Sequence, residues 1–310
     1  MKPPSTEDLP AFRGAPFLFP EMPRPFSSRV EVDFGAATHV GHVRSTNEDS
    51  YLIGRTGRYW ERLHTSLPPN QLPARHEENG YLLAVADGMG GHLAGEVASS
   101  LALRAVVSAI LNAAHWALKL DNPEERTQEV EEAIQRGREY FRQAHQAINE
   151  QASGDAGLAR MGTTLTGAYT FGTDLFVMHV GDSRAYLYRG GALKQLTHDH
   201  TVAQELVEAG RLAPEEAHGH RFSHMLTRVL GAGAPEVRPE TTHRQLADGD
   251  CVLVCSDGLT GMVADGRIAE VLGRGEPAEA TCRALVQEAL GGGGKDNVTV
   301  LVARYRVPGG

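Results

Sequence analysis

The stretch AVADGMGGHLAGE, Ala84 to Glu96, decides how the chain is read. An apolar run from Tyr81 to Ala86 ends in a carboxylate at Asp87. It then enters glycines at Gly88, Gly90, Gly91 and Gly95, broken by Met89, His92, Leu93 and Ala94, before a helical pattern begins. A buried strand that stops at Asp87 delivers an acid to the edge of a core, and glycines let backbone come close to a phosphate, a metal or another segment.

Working outward, VEVDFGAATHVGHV, YLIG and YLLAVA read as strands, with a polar, proline-containing insert from Arg55 to Asn79 read as a long loop. Two helices follow. Leu103, Val106, Ile110 and Ala114 recur at three- and four-residue steps, as do Val130, Ala133, Gly137, Phe141, Ala144 and Ile148, with Asn122-Pro123 between as stop and restart. TTLTGAYT, LFVMHVG, RAYLYRG and ALKQLT are short strands with turns at Gly172-Thr173 and Gly190-Gly191. HTVAQELVEAG is a short amphipathic helix, and Arg211 to Pro239 is too polar and broken for a core element. CVLVCSDG is a strand, helices follow around Ile268 to Leu272 and from Pro277 to Leu290, and VTVLVARYRV closes the series. Strands adjoin strands and helices come in pairs, which predicts an α+β domain of two mainly antiparallel sheets face to face, with helices on both outer faces. Residues 1–29, proline-rich with interspersed aromatics, read as an extended arm ahead of a domain spanning 30–310.

Composition narrows the function. The chain has 310 residues, 41% of them hydrophobic, enough for a substantial core. Thirty-nine acids against 30 bases give a net charge of -9, which argues against nucleic acid or an anionic membrane as partner. No uninterrupted apolar run approaches the roughly 18 to 20 residues of a membrane span, and prolines break the N-terminal stretch where a signal peptide needs an apolar core. Three cysteines in so long a chain point to a reducing compartment, hence a cytoplasmic protein. Cys251 and Cys255 fall on one face of a strand, where thiols serve as small hydrophobes.

Acids recur immediately beyond strand-like runs: Glu48 and Asp49 in VRSTNEDSYLI, Asp87 in LLAVADGMGG, Asp182 in FVMHVGDSRAYL, Asp257 in VLVCSDGLT and Asp296 in GGGGKDNVTVLV. Any one of them alone reads as a turn residue. Brought together, they would repel and raise one another's pKa unless a cation neutralised them. An all-oxygen set suits Mg2+ or Mn2+, whereas Zn2+ would call for His and Cys. Asp87 is the candidate bridge between two such ions, and the carbonyl of Gly88 a candidate ligand. Arg44 either forks onto a phosphate or pairs with one of the acids of its own segment. His92 is either a proton donor or a surface residue at the helix start, and the surface placement is favoured. GMGGHLAGE lacks the G-K-[ST] ending of a P-loop, and no βαβ unit surrounds it. A silent phosphoprotein-binding module would show gaps among these ligands, and there are none.

RSTNEDS, ADGMGGH, MGTTLT, VGDSRAYL, THDHT, CSDGLT and GGKDNVTV together, in order over about Val40 to Val302, resemble the successive motifs of the metal-dependent protein phosphatases, the type 2C serine/threonine phosphatases, in their bacterial branch. The resemblance implies an αββα sandwich that hydrolyses phosphoserine and phosphothreonine at a binuclear Mn2+ or Mg2+ centre. Asp87 would bridge the ions, Asp257 and Asp296 would hold the first, and Gly88 O with Asp49 the second. Glu48 would be a ligand or its neighbour. Asp182 with Asp257 matches a third, weaker site, Arg44 the phosphate-binding arginine, Asn297 the residue beside the final ligand, and about 201–238 a mobile flap. Met89 stands where many eukaryotic members carry a histidine proton donor, and the flap's His218, His220 and His224 have no assigned role. The implied partners are phosphorylated proteins, among them a serine/threonine kinase or its substrates, met by a monomer with no nucleic-acid or membrane partner.

Overall fold

The computed structural model describes residues 30–68, 72–91, 93–113, 120, 124–217 and 219–307. The proline-rich arm, His92, Asn122-Pro123 and His218 lie outside them. The smaller sheet is ordered β1 (Glu31–His39), β12 (Val298–Arg306), β11 (Cys251–Cys255), β7 (Arg184–Arg189), β8 (Ala192–Gln195). The larger runs β10 (Glu240–Gln245), β6 (Asp174–Val180), β5 (Leu165–Phe171), β3 (Arg75–Met89), β4 (Gly162–Thr163), β9 (Leu230–Gly231), with β2 (Asp49–Glu61) also paired to β3. Every described pairing within these sheets is antiparallel.

The period-2 pattern sorts side chains into three apolar layers. From β3, Leu83 and Val85 point between the sheets, where they meet Val252 and Val254 of β11 and Leu301 and Ala303 of β12. Their neighbours Leu82, Ala84 and Ala86 face α1 (Leu93–Asn112) and α2 (Arg126–Ser153), packing on Ala98, Ala102, Phe141 and Ile148. On the far side Cys251, Leu253, Cys255, Val300 and Val302 pack on α6 (Asp265–Gly273) and α7 (Ala278–Gly291) through Ile268, Leu272, Cys282 and Leu285. Each buried Leu, Ile or Val contributes about 1.5–3 kcal/mol, so an alternation kept along β3, β11 and β12 fixes a four-layer αββα sandwich. The cysteines are core residues, as their spacing predicts: all three are buried, and burial pushes each thiol up to about 12.

Three expectations need correction, and one strand had gone unannounced. The 55–79 insert is not a long loop: β2 continues to Glu61 and β3 starts at Arg75, in register from Arg55↔Tyr81 to Glu61↔Arg75. This ribbon is largely exposed along β2, so it carries no apolar alternation. It is held instead by cross-strand pairs such as Arg58–Glu78 at 2.6 Å and by Arg75 over the Tyr59 ring. The 211–239 stretch does hold a core element, since Leu230 is fully buried and β9 pairs with β4, which pairs with Gly88 and Met89 of β3. The polar edge strand β10 had no apolar signal to announce it. Finally, α1 is long and apolar enough by length and composition to cross a membrane; Ala94, Ala98 and Ala102 are buried within the core cluster formed with β3 and α2.

Candidate metal centre

The acids meet at one rim of the sandwich because both sheets end there. Asp49 and Asp87 are register partners on β2 and β3 of the larger sheet. Asp257 follows β11 and Asp296 precedes β12 of the smaller one, and Asp182 sits in the connection from β6 to β7. The main chain of Asp87 is fixed on both sides. Its N–H donates to Thr164 Oγ1 (3.0 Å), and its carbonyl accepts from Thr164 N (2.9 Å) and Thr163 Oγ1 (2.8 Å).

Asp49 joins the two sheets. Its Oδ2 accepts from Ser256 Oγ and Thr299 Oγ1, each at 2.7 Å, both belonging to the smaller sheet or its end. Its Oδ1 is buried with no hydrogen-bond partner, and so is Asp257 Oδ1. Burial pushes the Asp49 carboxyl up to about 7, with Asp257 and Asp296 repelling it further and the two hydroxyls pulling it back. Burial first, and then the charges of Asp49, Asp257, Asp182 and Asp296, hold Asp87 well above the carboxylate range. Asp182 is raised by burial and then by Asp257 and Asp199. Crowded acids with bare buried oxygens and no cysteine beside them fit hard divalent cations.

Glycine explains the tightness of the DGMGG turn. A Cβ on Gly88 would overlap the carbonyl of Gly95 in the first turn of α1, and one on Gly95 would overlap Glu48 Oε2. The Gly88 N–H donates to the Glu48 carbonyl at 3.3 Å, which also accepts from Ser99 Oγ at 2.7 Å. Asn297 anchors the other side of the same loop: its Oδ1 accepts from Glu48 N (2.8 Å), and its Nδ2 donates to Val40 O (2.9 Å) and Thr46 O (2.8 Å). Positioning Glu48 and Asp49 is therefore the work of Asn297, a role its place beside Asp296 does not announce.

Arg44 resolves differently from either sequence alternative. Its Nη2 donates to Asp296 Oδ2 at 2.7 Å, an acid 252 residues away rather than one of its own segment, and both side chains stay partly exposed. The flap supplies a residue that sequence reasoning left without a role: His224 Nδ1 lies 3.5 Å from Asp257 Oδ2, and ligand atoms of Asp182, His224 and Asp257 lie within 4.8 Å of one another. Only the histidine-rich composition of the flap hinted at it. His220 instead packs edge-on to Phe222. The main chain just before Asp182 is held by His200, whose ring Nδ1 accepts from Gly181 N (3.1 Å) while its backbone N–H donates to Gly181 O (2.7 Å).

Comparison with known proteins places this arrangement. Residues 70–289 match the model of the family described as Protein phosphatase 2C. The serine/threonine protein phosphatase PstP of Mycobacterium tuberculosis is 40% identical over 273 residues, covering 87% of this chain and 44% of PstP. The chain thus spans less than half the length of that relative. The serine/threonine phosphatase stp of Listeria monocytogenes is 34% identical over 227 residues, 73% of this chain and 85% of its own. A crystal structure of the catalytic domain of PstP in complex with 2 manganese ions aligns with a TM-score of 0.69 at 35% identity, covering 89% of this chain and 99% of that one.

Proposed function

The chain belongs to the protein phosphatase 2C family, and from that premise we propose that it hydrolyses phosphoserine and phosphothreonine in proteins, using two Mn2+ or Mg2+ ions. The observation that carries the reading is the pair of buried, partnerless carboxylate oxygens, Asp49 Oδ1 and Asp257 Oδ1, within a set of mutually repelling acids. In it Asp87 would be shared between the ions, Asp257 and Asp296 would hold one, Asp49 and the Gly88 carbonyl the other, with Glu48 behind them. Asp182 with Asp257 would form a third, weaker site. Bound there, the divalent ions supply Lewis acidity, lowering the pKa of water and neutralising phosphoryl charge.

The protein's own groups do the rest. Arg44, held by Asp296, presents a guanidinium to the phosphoryl oxygens on which charge develops. Ser256 and Thr299 keep Asp49 oriented and lower its proton affinity. Met89 follows Asp87-Gly88, so no side chain at that position donates the proton to the leaving alkoxide. The substrates are phosphoproteins, opposed by a serine/threonine kinase in signal transduction within a bacterial cytoplasm, and the chain works as a monomer. The bacterial relatives and the buried thiols support that setting.

Hydrolysis of a phosphothreonine peptide tests the reading. Activity with Mn2+ should vanish in EDTA and fall by about 10²-fold or more in Asp87→Asn and in Asp257→Asn. Turnover that survives EDTA and both substitutions would falsify it.

A further inference from the structure

Between α1, α2 and the outer face of the larger sheet lies a cavity of about 100 Å³, apart from the acidic rim. Leu82, Val106, Ile110, Phe176 and Met178 make its walls apolar. Interiors are normally close-packed, and a partly open apolar pocket such as this one suits a small molecule with an apolar body. Into this setting α2 brings Arg136, which lines the cavity. Its Nη2 is buried and has no hydrogen-bond partner. Glu132 approaches Nη1 at 3.7 Å and is itself half exposed, while the Arg136 side chain as a whole is a quarter exposed. Tyr140 and Tyr169 line the same space, and the Arg136 charge acts on both phenols. The Tyr169 hydroxyl is engaged by Thr56 Oγ1 at 3.2 Å.

We propose that this cavity is a binding site for a small monocarboxylate with an apolar body, its carboxylate paired with Arg136 Nη2 and its body filling the space between the helices and the sheet. A neutral apolar guest would leave the guanidinium donor unsatisfied. A phosphate dianion calls for more than one buried donor, and Arg136 Nη2 is the partnerless buried donor among the described lining residues. The site is independent of the reading of the acidic rim.

Gly167 supplies a blocking variant. A Cβ there would meet Leu82 Cδ1 at 3.9 Å and Leu83 O at 4.0 Å, ordinary contacts, so side-chain bulk can be added at this lining position of the cavity. The experiment uses the full chain loaded with diamagnetic Mg2+ and labelled with 13C at the methionine methyls, of which Met178 reports on the cavity. Hexanoate, benzoate and hexan-1-ol are titrated in turn. Saturable movement of the Met178 methyl with either acid is expected, with hexan-1-ol binding about tenfold more weakly because its neutral hydroxyl can accept from Nη2 but offers the guanidinium no opposite charge. Arg136→Gln should cost hexanoate about tenfold while leaving hexan-1-ol unchanged, and Gly167→Val should abolish both. The proposal is overturned if neither acid moves Met178, if acid and alcohol bind alike, or if Arg136→Gln binds hexanoate undiminished. Should Gly167→Val fail to fold, the acid–alcohol pair and Arg136→Gln decide.

Discussion

Removing the cations should make the protein less stable as pH rises, the reverse of the usual acid denaturation. Asp49 titrates at about 7 in the fold against an ordinary 3.8. Between these values the folded protein keeps a proton that the unfolded chain has released, so stability falls with rising pH through that window. At about 1.4 kcal/mol per pH unit the ceiling is about 4 kcal/mol; solvent at this half-buried rim screens part of it, leaving about 2 kcal/mol. Asp87 and Asp182, also raised, act in the same direction. The assay is urea unfolding in EDTA between about pH 5 and about pH 8, with and without Mn2+, on the native sequence and on Asp49→Asn. The substitution removes the charge and keeps a carbonyl for Ser256 and Thr299, so it should raise metal-free stability at about pH 8 by about 1–2 kcal/mol and flatten the profile. Mn2+ should restore the native sequence. A metal-free profile that rises with pH, or an Asp49→Asn protein no more stable than its parent, refutes the account of mutual repulsion.

Gly88→Ala forces a methyl onto the Gly95 carbonyl and should cost about 2 kcal/mol or more in urea unfolding as well as activity. Gly95→Ala strikes the Glu48 carboxylate first and lies tight against the Gly88 carbonyl carbon at 3.0 Å, so turnover should drop through displacement of Glu48 while the unfolding midpoint falls less than in Gly88→Ala. Arg44→Ala should raise KM for a phosphopeptide and lower kcat, yet change stability by under about 1 kcal/mol, because its ion pair is solvent-exposed. All three cysteines should resist a thiol reagent at neutral pH until urea unfolds the chain, since each is buried and its thiol is held protonated.

The rim was legible in the sequence because each acid ends a strand whose apolar alternation is strong. Asp87 after Leu82 to Ala86 and Asp257 after Cys251 to Cys255 are positioned by the same residues that build the core. Where burial is one-sided or absent, the signal disappears. The Arg55–Glu61 and Arg75–Asn79 ribbon is exposed along much of its length, and Glu240–Gln245 is a sheet edge, so polar residues there form strands through backbone pairing and polar cross-strand contacts that leave no apolar alternation. Contacts closed between distant segments were equally hidden. Nothing in NEDS and KDN announces that Asn297 would hold Glu48, nor in the flap that His224 would reach Asp257. Such pairings follow from how the two sheets stack, which local periodicity does not encode.

The double acceptance by Asp49 of hydroxyls from the opposite sheet has a consequence for how such a molecule can diversify. One side chain is at once the fastener of the two halves and part of the acidic rim, so a change of chemistry at that point is also a change of architecture. Novelty in target choice is thereby steered outward, to the ribbon and the flap, where residues can be exchanged without unpicking the seam.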